Sequence, residues 1–397
     1  MFNIKIFFNI NMIGGKLLAE GGYGCVFTPG INCDGSIMKT KKYVSKIQRY
    51  DSSAINEIRI GKKIQELNGF EDHFAAILKY CEIDIASIED KDKSKCSVFK
   101  KKKTKDFIVM KLQYIEGSDF MDYLINQKNS VQLVSNIIFS YNHILKSITM
   151  LVSKDIVHYD IKGTNILFDD NKEIPLLIDF GLSTEINKIN ATNLKDMFYV
   201  FAPEYYIWSL EIHYLCYLEN KNKEPTNQEL KEIAKKYVAG NKALQRNFSP
   251  TFLKKYENKC VKQLEKYNAM SFTERVTKIL SYWKTFDNYS LSIMYLKFLH
   301  YININGFIDN GFIIFFSKLL LRNIDPNPDN RLNLVETLHT FNTFLYQKNI
   351  NNIKTFEQLT DSFIENKIKI DKEVTMDKKK GLYQTKTMRI QRKKSKA

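Results

Sequence analysis

A carboxylate, an ammonium group and an amide lie within six residues in the segment HYDIKGTNILF, as Asp160, Lys162 and Asn165. A carboxylate can orient an attacking hydroxyl and accept its proton, and an amide oxygen can hold a magnesium ion. The lysine can reach a transferring phosphoryl group and offset its charge. A second carboxylate, Asp179, follows a buried-type run in LLIDFGLS and suits a second magnesium ligand. Together these residues predict phosphoryl transfer to a hydroxyl.

A glycine-rich segment near the start of the chain could cradle phosphate oxygens. LAEGGYGCV places Ala19, Gly21 and Gly24 at the three positions of GxGxxG, with Gly22 and Val26 beside them. Glycine lets backbone N–H groups approach a phosphate without a Cβ in the way. Ala19 replaces the first glycine, which is tolerable where φ is negative. Glycine-rich hairpins are common, so this segment alone indicates little.

A lysine lies inside the apolar strand pattern YVSKI, twenty residues after Val26. This lysine is Lys46. An interior lysine often only extends its side chain to solvent at a sheet edge, but the spacing after Val26 is the one expected for a lysine that binds phosphate. Its partner should come from the next helix. That helix offers Glu57 in NEIRIGKKI, which we favour, and Glu66 further along.

The chain changes character near Gly117, from strand-like patterns to helical ones. This predicts an α+β protein with two lobes, the first β-rich and the second helical. Two capping boxes, TNQE and SFTE, and a Ser-Pro helix start predict a helical insert in the second lobe. The predicted segments are an N-terminal extension at 1–12, a β-rich lobe at 13–115, a helical lobe at 116–345 with the insert at about 218–285, and a basic tail at 346–397.

Over roughly residues 13–345 the order of these motifs resembles the eukaryotic protein kinases. HYDIKGTN is similar to the catalytic loop HRDLxxxxN, and a lysine two positions after the aspartate resembles the serine/threonine type. FAPEYY resembles the APE phrase, with Glu204. FDNYSLSIMY resembles the start of the central helix, with Asp287. Arg331 in NPDNRLNLVE resembles the arginine that pairs with the APE glutamate, so the resemblance implies a pair between Arg331 and Glu204.

The resemblance implies a fold, cofactors and roles. It implies a bilobal kinase fold, ATP and Mg²⁺ as cofactors, and protein serine and threonine hydroxyls as acceptors. It also implies a hinge at Gln113 to Ile115 that binds adenine, with Leu112 as gatekeeper and Leu167 under the base. The expected catalytic residues are Asp160, Lys162 and Asn165, the magnesium ligands are Asn165 and Asp179, and the nucleotide-binding residues are Ala19, Gly21, Gly22, Gly24, Val26, Lys46, Glu57, Gln113, Ile115 and Leu167.

Within that family, EGGYGCVFTPGINCDG and YVSKI most resemble kinases of large cytoplasmic DNA viruses, and the Ile-, Asn- and Lys-rich composition agrees. Met12 in MIGGKLL would then be an alternative start.

The sequence departs from the family pattern at several positions. Tyr159 stands where the arginine of HRD is usual, Ser292 replaces the last glycine of DxWSxG, and Met197 replaces the threonine before APE. A neutral tyrosine cannot pair with a phosphate dianion. We therefore expect activity without activation-loop phosphorylation. The candidate loop hydroxyls are Ser183, Thr184 and Thr192.

The formal charge of +16 is concentrated in two stretches, 100–105 and the last twenty residues. Such an excess attracts anionic partners, so the tail could bind nucleic acid or an acidic partner; a merely solvated face is the plainer interpretation. No apolar run approaches the roughly 18 residues of a membrane span, and the sequence leaves the oligomeric state open.

The six cysteines are scattered and predict reduced thiols in a cytoplasmic protein, in the host cytoplasm or virion for a viral chain. Cys25 and Cys33 could at most meet across a hairpin.

Two other functions compete with an active protein kinase. A pseudokinase would keep the fold as a binding scaffold, but Lys46, Asp160, Asn165 and Asp179 are all present. A small-molecule kinase can share an HxDxxxxN loop but usually lacks APE and the closing arginine.

Overall fold

The computed structural model describes residues 16–20, 24–100, 106–125, 130–302, 311–347 and 369–380. Predictions for residues 1–12, for Gly21 and Gly22, and for the lysines at 101–105 lie outside the described residues. The chain divides into two compact units. Unit 1 runs to Ile58 and resumes at Ile77–Tyr114, and unit 2 contains Arg59–Ala76 and the chain from Ile115 onward.

Unit 1 is built on a five-stranded antiparallel sheet with the order β1-β2-β3-β5-β4. Alternating side chains of its strands bury one face around Phe27, Ile47, Phe107 and Val109. The strands are β1 Lys16–Glu20, β2 Gly24–Thr28, β3 Tyr43–Arg49, β4 Ile77–Ile83 and β5 Phe107–Gln113; the helices are α1 Ser52–Gln65, which continues into unit 2, and α2 Asp90–Lys93.

The cysteines of unit 1 are paired, which corrects the prediction of reduced thiols. Disulfides join Cys25 to Cys96 and Cys33 to Cys81, with Cα–Cα distances of 6.1 and 5.9 Å. Each bridge links residues far apart in sequence that the sheet and its loops bring together, so spacing could not reveal them. Cys216 is a free, buried thiol. The cysteines therefore give no support to a cytoplasmic location, which stays a prediction.

Unit 2 is helical, and its central helix α10 is buried along nearly its whole length. Its short strands form one sheet in the order β6-β8-β9 and a β7-β10 pair. The strands are β6 Gly117–Asp119, β7 Ile156–Val157, β8 Ile166–Asp169, β9 Ile174–Leu177 and β10 Thr184–Glu185. The helices are α3 Phe120–Ile125, α4 Ser130–Val152, α5 Leu210–Lys221, α6 Asn227–Gly240, α7 Lys242–Asn247, α8 Pro250–Asn268, α9 Phe272–Ser281, α10 Phe286–Ile302, α11 Gly311–Asn323, α12 Leu334–Gln347 and α13 at residues 369–380.

The predicted α+β order, a β-rich unit before a helical one, is confirmed. Both predicted capping boxes are present: Thr226 with Glu229 begins α6, and Ser271 with Glu274 begins α9. Within the segment predicted as a basic tail, residues 369–380 form α13, which packs on the rest of unit 2 with Ile370 and Val374 buried. Over the residues described, no helix has the length and apolarity needed to cross a membrane.

Candidate active site

The interior lysine of unit 1 is held by a carboxylate from the helix that follows it. Lys46 Nζ lies 2.6 Å from Glu57 Oε1, and the Glu57 side chain is only 2% exposed. The alternative partner, Glu66, instead pairs with Lys154 at 2.7 Å. A nearly buried ion pair between the middle strand of the sheet and α1 fixes the position of the ammonium group, which is what contact with a phosphate requires.

The predicted nucleotide-binding residues of the first strands lie in register. Ala19 pairs with Val26 and Val26 with Lys46, so the three line one row across β1, β2 and β3. A Cβ on Gly24 would come within 2.3 Å of the Ile47 carbonyl oxygen, so close packing against β3 already requires glycine there. Gln113 ends β5, opposite Tyr43.

The segment that carries Asp160 is held in shape by a buried carboxylate. Asp287, at the start of α10, accepts hydrogen bonds from the backbone N–H groups of His158 at 2.7 Å and Tyr159 at 2.9 Å. Burial raises the pKa of Asp287. Tyr159 has a φ of 69°, a left-handed conformation unusual for a large residue. Trp208 Nε1 donates to the Tyr159 carbonyl at 2.8 Å, so the strained turn is bonded from both sides.

Asp160 is fully buried at the centre of a polar cluster. Lys162 Nζ lies 3.0 Å from each of its carboxylate oxygens, and Asn165 Nδ2 donates to Oδ2 at 2.8 Å. The Tyr205 hydroxyl donates to Oδ1. The structure therefore brings together the three predicted catalytic residues around one carboxylate. Sequence reasoning missed Tyr205, because only the fold brings it to the loop.

The two predicted magnesium ligands lie on connected segments. The backbone N–H of Ile178, which precedes Asp179, donates to the Asn165 carbonyl at 3.0 Å. Asp179 has a φ of 62°, and the turn after it begins with Phe180, whose ring packs against His158 at 5.0 Å. The side-chain nitrogen of Asn165 donates to Asp160, so the side-chain oxygen Oδ1 is the atom that could bind a metal ion. An amide oxygen and a carboxylate are the hard ligands that magnesium prefers, so the donor set fits.

The other two predicted nucleotide-binding residues belong to unit 2. Leu167 lies in β8, half-buried and paired with Asp119 and Leu176. Ile115 begins the second part of unit 2 and is also half-buried.

The pair that closes the helical unit differs from the prediction. Arg331 forms a bidentate pair with Glu211, at 2.6 and 3.0 Å, and both side chains are fully buried. Glu204, the predicted partner, is exposed. Glu211 lies in the first turn of α5, where the helix carries it into the core, whereas Glu204 lies in the preceding loop beside Gly240. The segment SLE, rather than APE, therefore supplies the glutamate.

Another buried carboxylate, Glu185, which sequence reasoning missed, ties the segment after Asp179 to α1. Glu185 contacts Arg59 at 3.0 Å, Lys63 at 2.5 Å and Lys188 at 3.0 Å, and its side chain is fully buried. Although burial opposes ionisation, these cations hold the pKa of the Glu185 carboxyl below its ordinary value. Arg59 and Lys63 are four residues apart on one helical face, a spacing that signals a shared anionic partner.

Comparison with known proteins decides the family. The model of the protein kinase domain matches residues 13–285. The chain belongs to the protein kinase domain family. It is 28% identical over 194 residues to Cell division control protein 7 of Schizosaccharomyces pombe, an alignment that covers 48% of this chain and 15% of that protein.

Two further relatives come from Dictyostelium discoideum. Serine/threonine-protein kinase pakA is 27% identical over 203 residues, covering 50% of this chain and 14% of the relative. Dual specificity protein kinase zakA is 35% identical over 83 residues, covering 21% and 10%. This member of the protein kinase domain family thus spans at most 15% of the length of these three relatives.

Proposed function

We propose that this chain is a protein serine/threonine kinase that transfers the γ-phosphoryl group of ATP to serine and threonine hydroxyls of proteins. The observation that carries the proposal is the buried cluster in which Lys162 and Asn165 both contact the Asp160 carboxylate. An isolated buried carboxylate would be costly, but this one is paired and supported. The serine/threonine preference rests on Lys162 and on the names of relatives such as pakA.

Each residue of the cluster has a role in that reaction. Asp160 orients the attacking hydroxyl and accepts its proton, and Lys162 offsets charge on the transferring phosphoryl group. Asn165 and Asp179 would hold magnesium, which when bound neutralises phosphate charge. Lys46, fixed by Glu57, would contact the nucleotide phosphates. The Tyr205 hydroxyl donates to Oδ1 of Asp160, so Tyr205 acts as a positioning residue for that carboxylate.

The experiment that tests the acceptor class is phosphoamino-acid analysis. Matched peptides that differ only in carrying serine, threonine or tyrosine at one position should be phosphorylated on serine and threonine. Equal transfer to tyrosine would replace this proposal with dual specificity, the property named for zakA.

A binding scaffold is the alternative, and one observation favours it. Asp160 is fully buried and its oxygens already accept bonds from Lys162, Asn165 and Tyr205. A scaffold would bind MgATP without transferring its phosphoryl group. The active kinase requires a substrate hydroxyl to displace the Tyr205 hydroxyl, so turnover distinguishes the two.

Lys46→Met should lower kcat/KM for ATP by about tenfold or more, since loss of a hydrogen bond to a charged group costs about 1.5–3 kcal/mol. The variant also leaves Glu57 buried without its partner, so folding is checked by thermal melting. Lys79→Met, an exposed lysine on β4, is the matched control. Normal transfer by Lys46→Met would show that another cation positions the phosphates.

We expect full activity without phosphorylation of the segment after Asp179. Glu185 already supplies a buried anion to Arg59 and Lys63, and Ser183 and Thr184 are buried. Phosphatase-treated enzyme, verified by mass spectrometry, should keep its rate, while Glu185→Gln should lower the rate about tenfold, or 1.4 kcal/mol. Thr192→Ala, at an exposed hydroxyl, is the control. A tenfold fall on phosphatase treatment that rephosphorylation reverses would contradict this expectation.

Three finer assignments remain proposals. The resemblance to kinases of large cytoplasmic DNA viruses rests on the segments quoted above, and with it the cytoplasmic location. Binding of nucleic acid or an acidic partner by the tail rests on its charge, and binding should weaken as salt rises. Within the tail, Lys378 is already paired with Asp119 and Asp122, at 3.0 and 2.8 Å, and residues 381–397 lie outside those described.

A further inference from the structure

Helix α13, residues 369–380, packs on the rest of unit 2, and the buried carboxylate of Asp377 is one of its contacts. Asp377 is 3% exposed at its side chain. Its Oδ1 lies 2.7 Å from Lys242 Nζ, and its Oδ2 lies 2.9 Å from Arg246 Nη1 and 3.0 Å from Lys297 Nζ. The Tyr301 hydroxyl donates to Oδ2 at 2.7 Å. One carboxylate thus receives contacts from two helices, α7 and α10.

The three cations around Asp377 carry more positive charge than one carboxylate can neutralise. Glu373, one turn earlier, adds a weaker contact to Arg246 at 3.4 Å and also contacts His300. Burial lowers the pKa of Lys297, while Lys297, Lys242 and Tyr301 hold the pKa of Asp377 below its ordinary value although burial opposes this. The receiving site, as we call it, consists of the cations Lys242, Arg246 and Lys297 and the Tyr301 hydroxyl. These concentrated, partly desolvated donors suit an anion with more charge than a carboxylate, such as a phosphate group near −2.

The receiving site adjoins the catalytic segment. A cavity of about 70 Å³ is lined by Lys162 and Gly163 of that segment, by Tyr205, and by Lys297 and Asp377 of the receiving site. Lys378, the next residue on α13, contacts Asp119 at the end of β6 and Asp122 in α3. Helix α13 therefore forms one wall of the space beside the proposed acceptor site. A substrate segment that entered this space would meet the side chains that now hold Asp377.

We propose that Lys242, Arg246, Lys297 and Tyr301 form an anion subsite for a phosphorylated residue of a protein substrate, which Asp377 of α13 fills in the resting chain. The proposal rests on the kinase function proposed above and adds a substrate class to it. A substrate that carries phosphoserine or phosphothreonine at the right distance from its acceptor hydroxyl displaces Asp377. A carboxylate in the same place binds less tightly, because it offers one charge where the phosphate offers nearly two.

The test uses the full chain and an acceptor peptide in which one phosphoserine is moved residue by residue. Matched peptides carry alanine or aspartate in its place. Binding is read by fluorescence anisotropy and phosphorylation by kcat/KM. The variants are Asp377→Asn, which frees the subsite, and Asp371→Asn, the matched control on an exposed position of the same helix. Lys242→Gln, in an otherwise unchanged chain, removes a receiving cation.

For one phosphoserine position, Asp377→Asn should tighten binding about tenfold over the unsubstituted chain, a change of 1.4 kcal/mol. The alanine peptide should be unaffected, the aspartate peptide intermediate, and Asp371→Asn unchanged. Lys242→Gln should abolish the preference for phosphoserine. Should Asp377→Asn melt early, the phosphopeptide should raise its melting temperature more than that of the unsubstituted chain.

Several results would overturn the subsite. These are equal effects of Asp377→Asn on all peptides, no preference for any phosphoserine position, or a destabilised Asp377→Asn chain that the phosphopeptide does not restore. Each of these results would mean that α13 stabilises the fold but does not occupy a binding site. Binding without phosphorylation of any peptide would retain the subsite and defeat the kinase proposal, so the two failures are distinguishable.

Discussion

Asp160→Asn should lower turnover by about 10²–10⁴, the contribution of a positioned acid–base group. The amide keeps the size of the carboxylate but cannot accept the proton of the attacking hydroxyl. MgATP affinity should stay close to that of the unsubstituted protein, because the role proposed for the carboxylate is to act on the hydroxyl rather than on the nucleotide. Single-turnover kinetics measure the transfer step, and equilibrium titration measures nucleotide binding.

The control for this substitution is Asp170→Asn, the same chemical change at an exposed position shortly beyond the loop. It should leave turnover unchanged. Because Lys162 and Asn165 both contact Asp160, thermal melting checks that the variant remains folded. A folded Asp160→Asn protein with an unchanged rate would remove Asp160 from the mechanism.

Arg331→Met should reduce the free energy of unfolding by about 3–5 kcal/mol, the usual cost of breaking a buried ion pair by removing one partner. Glu211 would be left charged and fully buried among aromatic side chains such as Tyr289, over whose ring the guanidinium lies at 5.3 Å. Although burial opposes the charged form, Glu211 raises the pKa of Arg331. Urea denaturation followed by circular dichroism measures the change.

Two comparisons make this prediction specific. The double variant Arg331→Met with Glu211→Met should recover much of the loss, because neither charge is then left buried. Lys223→Met removes a partner of the more exposed Glu229, 2.7 Å away, and should leave the free energy of unfolding nearly unchanged. A loss below about 1 kcal/mol for Arg331→Met would mean that water or another cation satisfies Glu211.

The sequence predicted the parts of the site whose chemistry is local. Asp160, Lys162 and Asn165 lie within six residues of one loop, so their spacing indicated that they could act together, and the structure shows Lys162 and Asn165 on the Asp160 carboxylate. Glu57 was predictable for a related reason, since the helix carrying it directly follows the strand of Lys46. The β-rich unit followed by a helical unit was likewise visible as a change of periodicity along the chain.

The sequence could not show which of several similar residues pairs with a partner far away in the chain. Glu204 stands in the better motif, but the first turn of α5 carries Glu211 into the core beside Arg331. Tyr205 meets Asp160, and Glu185 meets Arg59 and Lys63, only through tertiary contacts. In each case burial and geometry, rather than the motif, select the residue.

Composition was also a poor guide to the structure of the C-terminal region. The stretch predicted to be solvated was the last twenty residues, whereas helix α13 at residues 369–380 begins before that stretch and packs on the rest of unit 2. The available signal was small: Ile370 and Val374 are four residues apart and share a helical face, and both are buried. Asp377 lies on the next turn, and its value to the fold depends on cations from α7 and α10 that no local pattern reveals.

The most direct test of the proposed function is transfer of the γ-phosphoryl group of MgATP to a serine peptide by purified protein, compared with Asp160→Asn. We predict that the unsubstituted chain forms phosphoserine and that the folded variant binds MgATP with similar affinity but forms about 10²–10⁴ less product. A folded, MgATP-binding chain that forms no phosphoserine on any peptide would contradict the account and establish a binding scaffold instead.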